Sequence, residues 1–286
     1  MTKTLTESNT YSCALLVLGD LGEPAKISLS SIGNIQADSV CAIADDIGRK
    51  WLISNSSKEI INRICLHSNS KIESILKSLE QNNEYVAFGN PRFFKLMILK
   101  WLLILDIFEK HNYHACIYSD LDVYWRKSAK PTYLKFMESE KISLIQNDSL
   151  IDGSREFFCP GIMFWKNDNR ALTAIKEIYE IQKSKIDAGE SFPDDKALNL
   201  WIQIQTNRNL VDFLPSKLYV IGHRMMWLML GIKKFSLKNT VAFHGNYSVG
   251  LKQKTELMKA ARVSHYSPMR VYYFLLQLKR KFKRIK

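Results

Sequence analysis

Three familiar patterns are missing from this sequence of 286 residues. No uninterrupted apolar stretch reaches the roughly 18 residues that a membrane span requires. Residues 1–10 are polar and do not form the apolar core of a secretory signal peptide. No Gly-x-Gly-x-x-Gly follows the first predicted strand, which disfavours a standard dinucleotide-binding fold. We therefore expect a cytosolic protein, either free or associated with a membrane surface.

The sequence also lacks a Cys-x-x-Cys pair. Its five cysteines are an odd number and lie far apart. They are Cys13, Cys41, Cys65, Cys116 and Cys159. Several occur in apolar, strand-like runs, which is typical of buried free thiols in a reducing compartment. We therefore expect neither disulfides nor a zinc site.

Acidic residues are fewer than basic ones, and the formal net charge is +13. This charge favours an anionic partner, for which a membrane surface, nucleic acid and nucleotide phosphates are candidates. Residues 263–286 contain no Asp or Glu and carry an aromatic and aliphatic patch at 271–276. A basic amphipathic helix of this kind is typical of an anchor on anionic lipid, and its apolar patch favours lipid over RNA. A helix that packs on the domain is an equal alternative.

Hydrophobic patterning indicates an α/β protein. Residues 14–18 and 40–44 are predicted strands, and residues 25–35 between them are a predicted helix. A strand, a helix and a strand at this spacing form a βαβ unit, which favours a parallel sheet. Pro91 opens a long predicted helix, residues 92–110, which is apolar almost all round and should be buried.

The second half of the chain continues the alternation of strands and helices. Strands are predicted at 142–146, 157–165, 211–214, 217–221 and 241–244, and helices at 131–138, 168–185, from 194 onwards and at 251–261. Gly161 indicates a bulge within its strand. Asp194 or Asp195 is the expected N-cap of the helix that follows.

Residues 114–125 combine an apolar strand with two carboxylates. The predicted strand ends at Asp120, and Asp122 follows two positions later. Ligands of open α/β sheets bind at the carboxyl ends of strands, and carboxylates at this spacing suit one Mg²⁺ or Mn²⁺ ion. We therefore expect a metal-bound phosphate here. Three interpretations stay open: acids that solvate a strand end, the Asp-x-Asp-x-Val motif of haloacid-dehalogenase phosphatases, and the Asp-x-Asp motif of GT-A glycosyltransferases.

Four elements within residues 85–262 carry a family resemblance. They are the apolar helix with Lys100, the strand with Asp120-Leu121-Asp122-Val123, the run Pro193-Asp194-Asp195-Lys196-Ala197-Leu198-Asn199, and the block His244-Gly245-Asn246 followed by Gly250 and Lys254. With them the chain resembles the GT-A glycosyltransferases of the nucleotide-diphospho-sugar transferase group. It is similar to family 77 and, more distantly, to family 8.

The resemblance implies a fold and an activity. The fold is GT-A, an α/β architecture with a mixed, mostly parallel sheet flanked by helices over residues 1–262, followed by the basic tail 263–286. The activity is transfer of a sugar from a nucleotide-diphosphate sugar, first of all a UDP-sugar, to a glycan or glycolipid acceptor with retention of configuration. The implied cofactor is Mn²⁺ or Mg²⁺. We expect the protein at the cytoplasmic face of a membrane, with anionic lipid and not nucleic acid as its surface partner.

The resemblance also implies roles for individual residues. Asp120 and Asp122 bind the metal and the nucleotide diphosphate, and His244 completes the metal shell. Lys100 and Lys254 belong to the donor-binding residues. For Lys100, a side chain that buries its stem and extends its charge to water is the more common role. For Lys254, which could contact a phosphate near a helix start, a solvated helix residue is an equal alternative.

Asp194 and Asp195 match the position at which related retaining enzymes hold the acceptor and the anomeric carbon. Transfer from a nucleotide sugar develops oxocarbenium-like charge and expels a diphosphate, so a carboxylate beside the sugar and a cation on the leaving group fit this chemistry. The chain departs from family 8, which commonly has Gln at the position of Asp195 and ends in Lys-Pro-Trp. Retention of configuration is thus implied by likeness only.

Two other functions remain as alternatives. A haloacid-dehalogenase-like phosphatase would use Asp120 and Asp122, but its nucleophile strand normally comes near the start of the core, whereas two predicted strands and a long helix precede Asp120 here. A non-catalytic protein that binds RNA or membranes on a degenerate GT-A scaffold would explain the net charge.

Overall fold

The computed structural model describes residues 10–19, 21–80, 91–148, 156–221, 239–245, 254–255 and 258–259. Its strands are β1 (Tyr11–Val17), β2 (Ser39–Ala44), β3 (Ile64–Leu66), β4 (Ala115–Ser119), β5 (Val123–Trp125), β6 (Ser143–Asn147), β7 (Phe158–Lys166), β8 (Val211–Phe213), β9 (Tyr219–Ile221) and β10 (Ala242–His244). Its helices are α1 (Gly22–Leu29), α2 (Asp46–Asn55), α3 (Lys58–Ile61), α4 (Ser70–Glu80), α5 (Pro91–Met97), α6 (Leu99–Lys110), α7 (Lys130–Met137), α8 (Asn169–Asp187), α9 (Asp194–Ile202) and α10 (Gln205–Arg208), and a 3-10 helix, Ile32–Ile35, follows α1.

The main sheet has the strand order β3-β2-β1-β4-β7-β6-β8. Strands β3, β2, β1 and β4 are parallel to one another, and β6 is parallel to β8. Only β7 runs antiparallel to its neighbours in this sheet as described. The predicted βαβ unit is confirmed, because β1 and β2 pair in parallel from Ser12 opposite Ser39 to Val17 opposite Ala44.

A smaller sheet, with the order β5-β10-β9, brings a late segment of the chain back to the middle of the fold. Strand β10 is antiparallel to β5, with His244 opposite Val123, and parallel to β9. Only residues 120–122 separate β4 from β5. The carboxyl end of β10 therefore lies beside the turn that carries Asp120 and Asp122.

Alternating side chains of the main sheet supply two hydrophobic cores. Ala14 packs into the core formed with α4, α5, α6, α8 and α9, whereas its neighbours Cys13 and Leu15 pack into the core with α1, α2, α7 and the smaller sheet. Trp101 is fully buried, and its indole N–H donates to Gln182 Oε1 at 2.8 Å, which ties α6 to α8. Among the described helices, none combines the length and the apolar character that a membrane crossing needs.

Two helix predictions need correction. The helix predicted over 92–110 divides into α5 and α6 at Ile98, where the backbone keeps helical angles (φ −60°, ψ −32°) but a tighter Trp101 N–H to Ile98 C=O bond of 3.1 Å forms. Its burial is confirmed, and α6 buries even Lys100 and Asp106. The helix predicted over 25–35 ends at Leu29 as α1, and the 3-10 helix that follows stops at Gln36, whose φ is 60°.

The bulge predicted near Gly161 is confirmed. The pairing of β6 with β7 shifts register between Ile145, which lies opposite Met163, and Gln146, which lies opposite Cys159. The strand predicted over 217–221 is β9, which joins the smaller sheet. The boundary predicted at 262, the tail 263–286 and most of the helix predicted over 251–261 lie outside the described residues.

Candidate active site

Backbone hydrogen bonds hold the turn between β4 and β5 against two other segments. The Asp120 N–H donates to the Gly161 carbonyl of β7 at 2.8 Å. The Asp122 carbonyl accepts from the Gly245 N–H, just after β10, at 2.7 Å. These bonds place both carboxylates at the junction of the two sheets, although β7 and β10 are far from residues 120–122 in sequence.

His244 faces the two carboxylates. Its Nε2 lies 3.1 Å from Asp122 Oδ1 and 3.8 Å from Asp120 Oδ2. Its Nδ1 donates to Gln146 Oε1 at 2.8 Å, and this contact assigns the Nδ1 proton and directs Nε2 to the acids. A Cβ on Gly161 would lie only 2.0 Å from His244 Cε1, so glycine is required for the imidazole to occupy this position.

The Asp120, Asp122 and His244 side chains form a set of donors suited to a divalent cation. One ligand atom from each lies within 4.8 Å of the others. Asp122 Oδ1 is buried and, apart from its approach to His244 Nε2 at 3.1 Å, has no hydrogen-bond partner within the described residues, so it faces into the site. Two carboxylate oxygens and one imidazole nitrogen fit Mn²⁺, and the oxygens also fit Mg²⁺.

Without a cation, His244 itself balances the carboxylates. Burial alone would lower its pKa, but the negative charge of Asp122 and the contact with that carboxylate raise the His244 pKa well above its usual value. The protonated imidazole then supplies the positive charge that offsets Asp120 and Asp122. A metal ion that binds Nε2 must displace this proton, and its affinity should therefore rise with pH.

Lys100 lies buried at the centre of the site. Its Nζ forms an ion pair with Asp194 Oδ2, lies 3.8 Å from Asp120 Oδ1 and donates to the Pro160 carbonyl at 3.3 Å. It also sits over the Tyr118 ring, 4.6 Å from the centroid. Burial opposes the charged form, but Asp120 and Asp194 raise the Lys100 pKa above its usual value. Lys100 therefore joins the metal-side carboxylate to helix α9.

Lys254 contacts the other carboxylate. Its Nζ lies 2.6 Å from Asp122 Oδ2. Burial of Asp122 would raise its pKa, but the charges of Lys254 and His244 lower it. The resemblance places Lys254 among the donor-binding residues, and in the structure it pairs with the carboxylate of Asp122.

Asp194 and Asp195 lie in the first turn of α9, and neither is its N-cap. Pro193 occupies that position and makes no side-chain capping bond, so the capping prediction is wrong. Asp194 instead reaches Lys100. Burial, reinforced by the charge of Asp194, raises the pKa of Asp195 to about 6.

Asn199 fixes helix α9 to strand β7. Its Oδ1 accepts from the Phe158 N–H at 2.9 Å, and its Nδ2 donates to the Phe158 carbonyl at 2.7 Å. This pair of bonds mimics the edge of a strand and sets the distance of the α9 N-terminus from the site. Asn199 ends the run 193–199 in the sequence, where no local pattern indicates its contact with β7.

Sequence reasoning missed three further residues of the site. The Tyr118 hydroxyl donates to Asp120 Oδ1 at 2.9 Å, Gln146 orients His244, and Gly161 makes room for the imidazole. The position of Tyr118, two residues before Asp120 on the same strand, was a usable signal. Nothing in the sequence links Gln146 to His244, because they are 98 positions apart.

A groove of about 390 Å³ lies elsewhere, between α4 and α8, and is lined by residues such as Ser74, Ile98 and Tyr179. None of the polar side chains described above lines it. The segments 149–155, 222–238 and 246–253, which adjoin β6, β9 and β10 in sequence, lie outside the described residues. We therefore locate the candidate site by its side-chain chemistry and not by cavity size.

Comparisons with known proteins identify the family and the fold of the chain. The family model described as nucleotide-diphospho-sugar transferase matches residues 61–258. Among curated protein sequences, none matches the chain.

Solved structures of glycosyltransferases share its fold. Galactosyltransferase LgtC, in complex with donor and acceptor sugar analogues, is 11% identical over 89% of this chain and 98% of its own, with a TM-score of 0.53. Mouse xyloside xylosyltransferase 1 is 10% identical over 85% and 99%, with a TM-score of 0.52. A glycosyltransferase involved in glycosylation of the major capsid of PBCV-1 is 10% identical over 89% and 100%, with a TM-score of 0.51. At such identities the likeness concerns the fold.

Proposed function

From the premise that this chain belongs to the nucleotide-diphospho-sugar transferase family, we propose that it is a metal-dependent glycosyltransferase. Its donor is a nucleotide-diphosphate sugar, first of all a UDP-sugar, and its acceptor a glycan or glycolipid. The observation that carries the metal dependence is the convergence of Asp120, Asp122 and His244, one ligand atom of each lying within 4.8 Å of the others. Family membership favours this function over a phosphatase and over a non-catalytic scaffold.

Asp120, Asp122 and His244 would hold Mn²⁺ or Mg²⁺, and the bound ion would neutralise the diphosphate as it leaves the sugar. Gln146 keeps the His244 Nδ1 proton, so that Nε2 remains available as the ligand atom. The Tyr118 hydroxyl orients Asp120 through its 2.9 Å bond to Oδ1. These contacts fix the ligands before the donor arrives, which limits the reorganisation that binding requires.

Two lysines offset the negative charge of different carboxylates in the site. Lys100 is held between Asp120 and Asp194 and keeps these acids close together in a buried site. Lys254 pairs with Asp122 in the structure. In our proposal its ammonium group also supplies positive charge near the diphosphate of the donor.

Asp195 is the carboxylate that we assign to the sugar. Asp194 is neutralised by Lys100, whereas Asp195 forms no salt bridge within the described residues. An anion at the N-terminus of α9 would stabilise the oxocarbenium-like charge at the anomeric carbon and orient the acceptor. Retention of configuration is part of the proposal and rests on likeness to retaining enzymes.

The test is hydrolysis of donors by the full-length protein. UDP-, GDP-, ADP- and CDP-sugars are incubated with Mn²⁺, with Mg²⁺ or with a chelator, and the released nucleoside diphosphate is measured. We expect release from one nucleotide class that requires the added ion and is strongest with Mn²⁺. Equal release in the chelator, or no release from any of the four classes, would contradict the proposal.

We also propose that residues 263–286 bind an anionic membrane surface at its cytoplasmic face. Support comes from their composition, which has no Asp or Glu and includes the apolar patch 271–276. Deletion of 263–286 should release the protein from liposomes that contain phosphatidylserine and leave donor hydrolysis intact. Zwitterionic liposomes serve as the control. Retention of the truncated protein on anionic liposomes would refute the anchor.

A further inference from the structure

A second cluster of potential metal ligands lies at the β3 edge of the main sheet. Cys41 on β2 and Cys65 on β3 are direct partners in the parallel register of these strands. Side chains of paired residues lie on the same face of a sheet, and so does His67, two positions after Cys65. One ligand atom from each of these three residues lies within 4.8 Å of the others. The fold thus brings two thiols and an imidazole together although no Cys-x-x-Cys motif exists.

The His67 ring is oriented as in a metal-bound histidine. Its Nδ1 contacts Asp106 Oδ2 at 2.7 Å, and Asp106 in turn accepts from Asn69 Nδ2 at 2.9 Å. His67 Nε2 is buried and has no hydrogen-bond partner in the described part of the chain. A carboxylate behind one nitrogen of a histidine fixes the ring and increases the basicity of the other nitrogen, which is the usual second shell of a histidine ligand. A buried nitrogen without a partner requires an explanation, and a bound cation supplies one.

A fourth donor is within reach. His111 follows the last turn of α6, and its Nε2 lies 3.6 Å from Cys65 Sγ. Its ring meets the His67 ring at 5.3 Å between centroids. The cluster therefore contains two cysteines and two histidines, which is a common ligand set of structural zinc sites.

We propose that Cys41, Cys65 and His67 bind a Zn²⁺ ion, with His111 as the fourth ligand. Sulfur and imidazole donors select Zn²⁺ over Mg²⁺ and Mn²⁺, which prefer oxygen. The ion is separate from the one proposed at Asp120, because β1 lies between β2 and β4 in the sheet. It would hold the three-residue edge strand β3 to β2 and to the end of α6. This inference departs from the expectation that the cysteines have no role in zinc binding.

Metal content separates this site from the catalytic one. The full-length protein is prepared without a histidine tag from zinc-supplemented cells, and bound zinc is measured by mass spectrometry of the elements. We expect one zinc ion per chain in the wild type and in Asp122→Asn, and its loss in Cys65→Ala. The control is Cys13→Ala, which removes a fully buried thiol from the opposite face of the sheet, whereas Cys65 is partly buried. Zinc retained in full by Cys65→Ala would overturn the proposal.

Two measurements on the wild-type protein do not depend on the folding of a variant. Replacement of zinc by Co²⁺ should produce thiolate-to-cobalt absorption, which the oxygen-rich Asp120 site cannot produce. Added Zn²⁺ should slow alkylation of Cys65 relative to the chelator-treated protein, as mapped by peptide mass spectrometry. A cobalt complex without sulfur absorption, an unchanged alkylation rate or a native Cys41–Cys65 disulfide would each contradict a zinc site.

Discussion

The two ligand clusters of this protein each contain a histidine whose Nδ1 contacts a side-chain oxygen, but their other ligand atoms differ. His244 and His67 each direct Nδ1 to a hydrogen-bonding oxygen, which leaves Nε2 available to a ligand. His244 Nδ1 contacts the neutral amide of Gln146, and its Nε2 faces the carboxylates of Asp120 and Asp122. His67 Nδ1 contacts the carboxylate of Asp106, and the thiols of Cys41 and Cys65 lie near its ring. The first arrangement suits an exchangeable hard cation that carries a diphosphate, and the second suits a permanently held soft one.

Position in the sheet reinforces this difference. Asp120 and Asp122 lie on the turn after β4, at the junction of both sheets, where a substrate can approach. Cys41 and Cys65 lie within paired strands and have the hydrophobic core behind them. We infer that the fold separates a site for chemistry from a site for stability, and the following predictions test that separation.

The largest effect should come from Asp122→Asn. This change removes the negative charge of the most deeply embedded metal-side carboxylate, and metal-dependent donor hydrolysis should fall by roughly 10²-fold or more. The fold should persist, because the backbone bond from Gly245 to the Asp122 carbonyl is kept. Steady-state kinetics and circular dichroism measure the two outcomes. Asp187→Asn, on the exposed surface of α8, is the control and should keep full activity. If Asp122→Asn kept its metal-dependent activity, Asp122 would not be a catalytic metal ligand, and the two clusters would not differ in function as proposed.

Lys100→Met should have the next largest effect. Lys100 is 1% exposed and balances Asp120 and Asp194, so its loss leaves buried carboxylates without their cation. We expect the free energy of unfolding to decrease by about 3 kcal/mol, as measured by chemical denaturation. The double variant Lys100→Met/Asp194→Asn should recover part of this loss. Lys183→Met breaks an exposed pair with Asp187 and should cost less than about 0.5 kcal/mol. Equal costs for both lysines would show that Lys100 carries no buried charge.

Cys65→Ala should change stability and leave catalysis intact, the reverse of Asp122→Asn. Zinc at a hundredfold excess over its dissociation constant should stabilise the wild type by about 2.7 kcal/mol, because it binds only the native state. Cys65→Ala should lose this zinc-dependent gain, while its Mn²⁺-dependent donor hydrolysis at ambient temperature stays near the wild-type rate. A loss of activity equal to that of Asp122→Asn would show that the two clusters are not independent.

The smallest effect concerns pH and Asp195. Its pKa of about 6 keeps the carboxyl neutral in more acidic solution, so donor hydrolysis should decline below about pH 6. Because the raised pKa means that the native state binds this proton more tightly than the unfolded chain, the associated stability is present at low pH and is lost as pH rises through about 6. Asp195→Asn should therefore raise the melting temperature near pH 8 but not near pH 4. A pH profile that keeps the same acidic limb in Asp195→Asn would exclude Asp195 as its origin.

Local patterns account for what the sequence predicted correctly. The alternation of β1 and β2 with a helix identified the α/β class, and the family match together with the sheet order confirms the predicted GT-A fold. The apolar strand that ends at Asp120 and Asp122 predicted that both acids lie at the end of a strand, and in the structure they follow β4 at the junction of the two sheets. The strand end is a signal within a dozen residues, and the alternation consists of short segments that follow one another directly in the sequence, so both can be recognised from periodicity.

Contacts across the sheet account for what the sequence could not show. Gln146, Gly161 and His244 meet because β7 lies between β4 and β6 and because β10 pairs with β5, and no local pattern encodes these pairings. Cys41 and Cys65 become neighbours only through the parallel register of β2 and β3. The spacing of Cys65 and His67 on one strand face was the available hint, and the absence of a Cys-x-x-Cys motif concealed it.

The most direct test of the catalytic site is thermal unfolding of the wild type with UDP, GDP, ADP or CDP, each with and without Mn²⁺, repeated with Asp122→Asn. A ligand that binds only the native state raises the melting temperature by mass action. We expect one nucleotide, with UDP first, to raise it only when Mn²⁺ is present, and we expect the Asp122→Asn protein to show no such shift. A nucleotide shift of equal size without the ion, or in Asp122→Asn, would contradict a metal-held diphosphate at Asp120, Asp122 and His244.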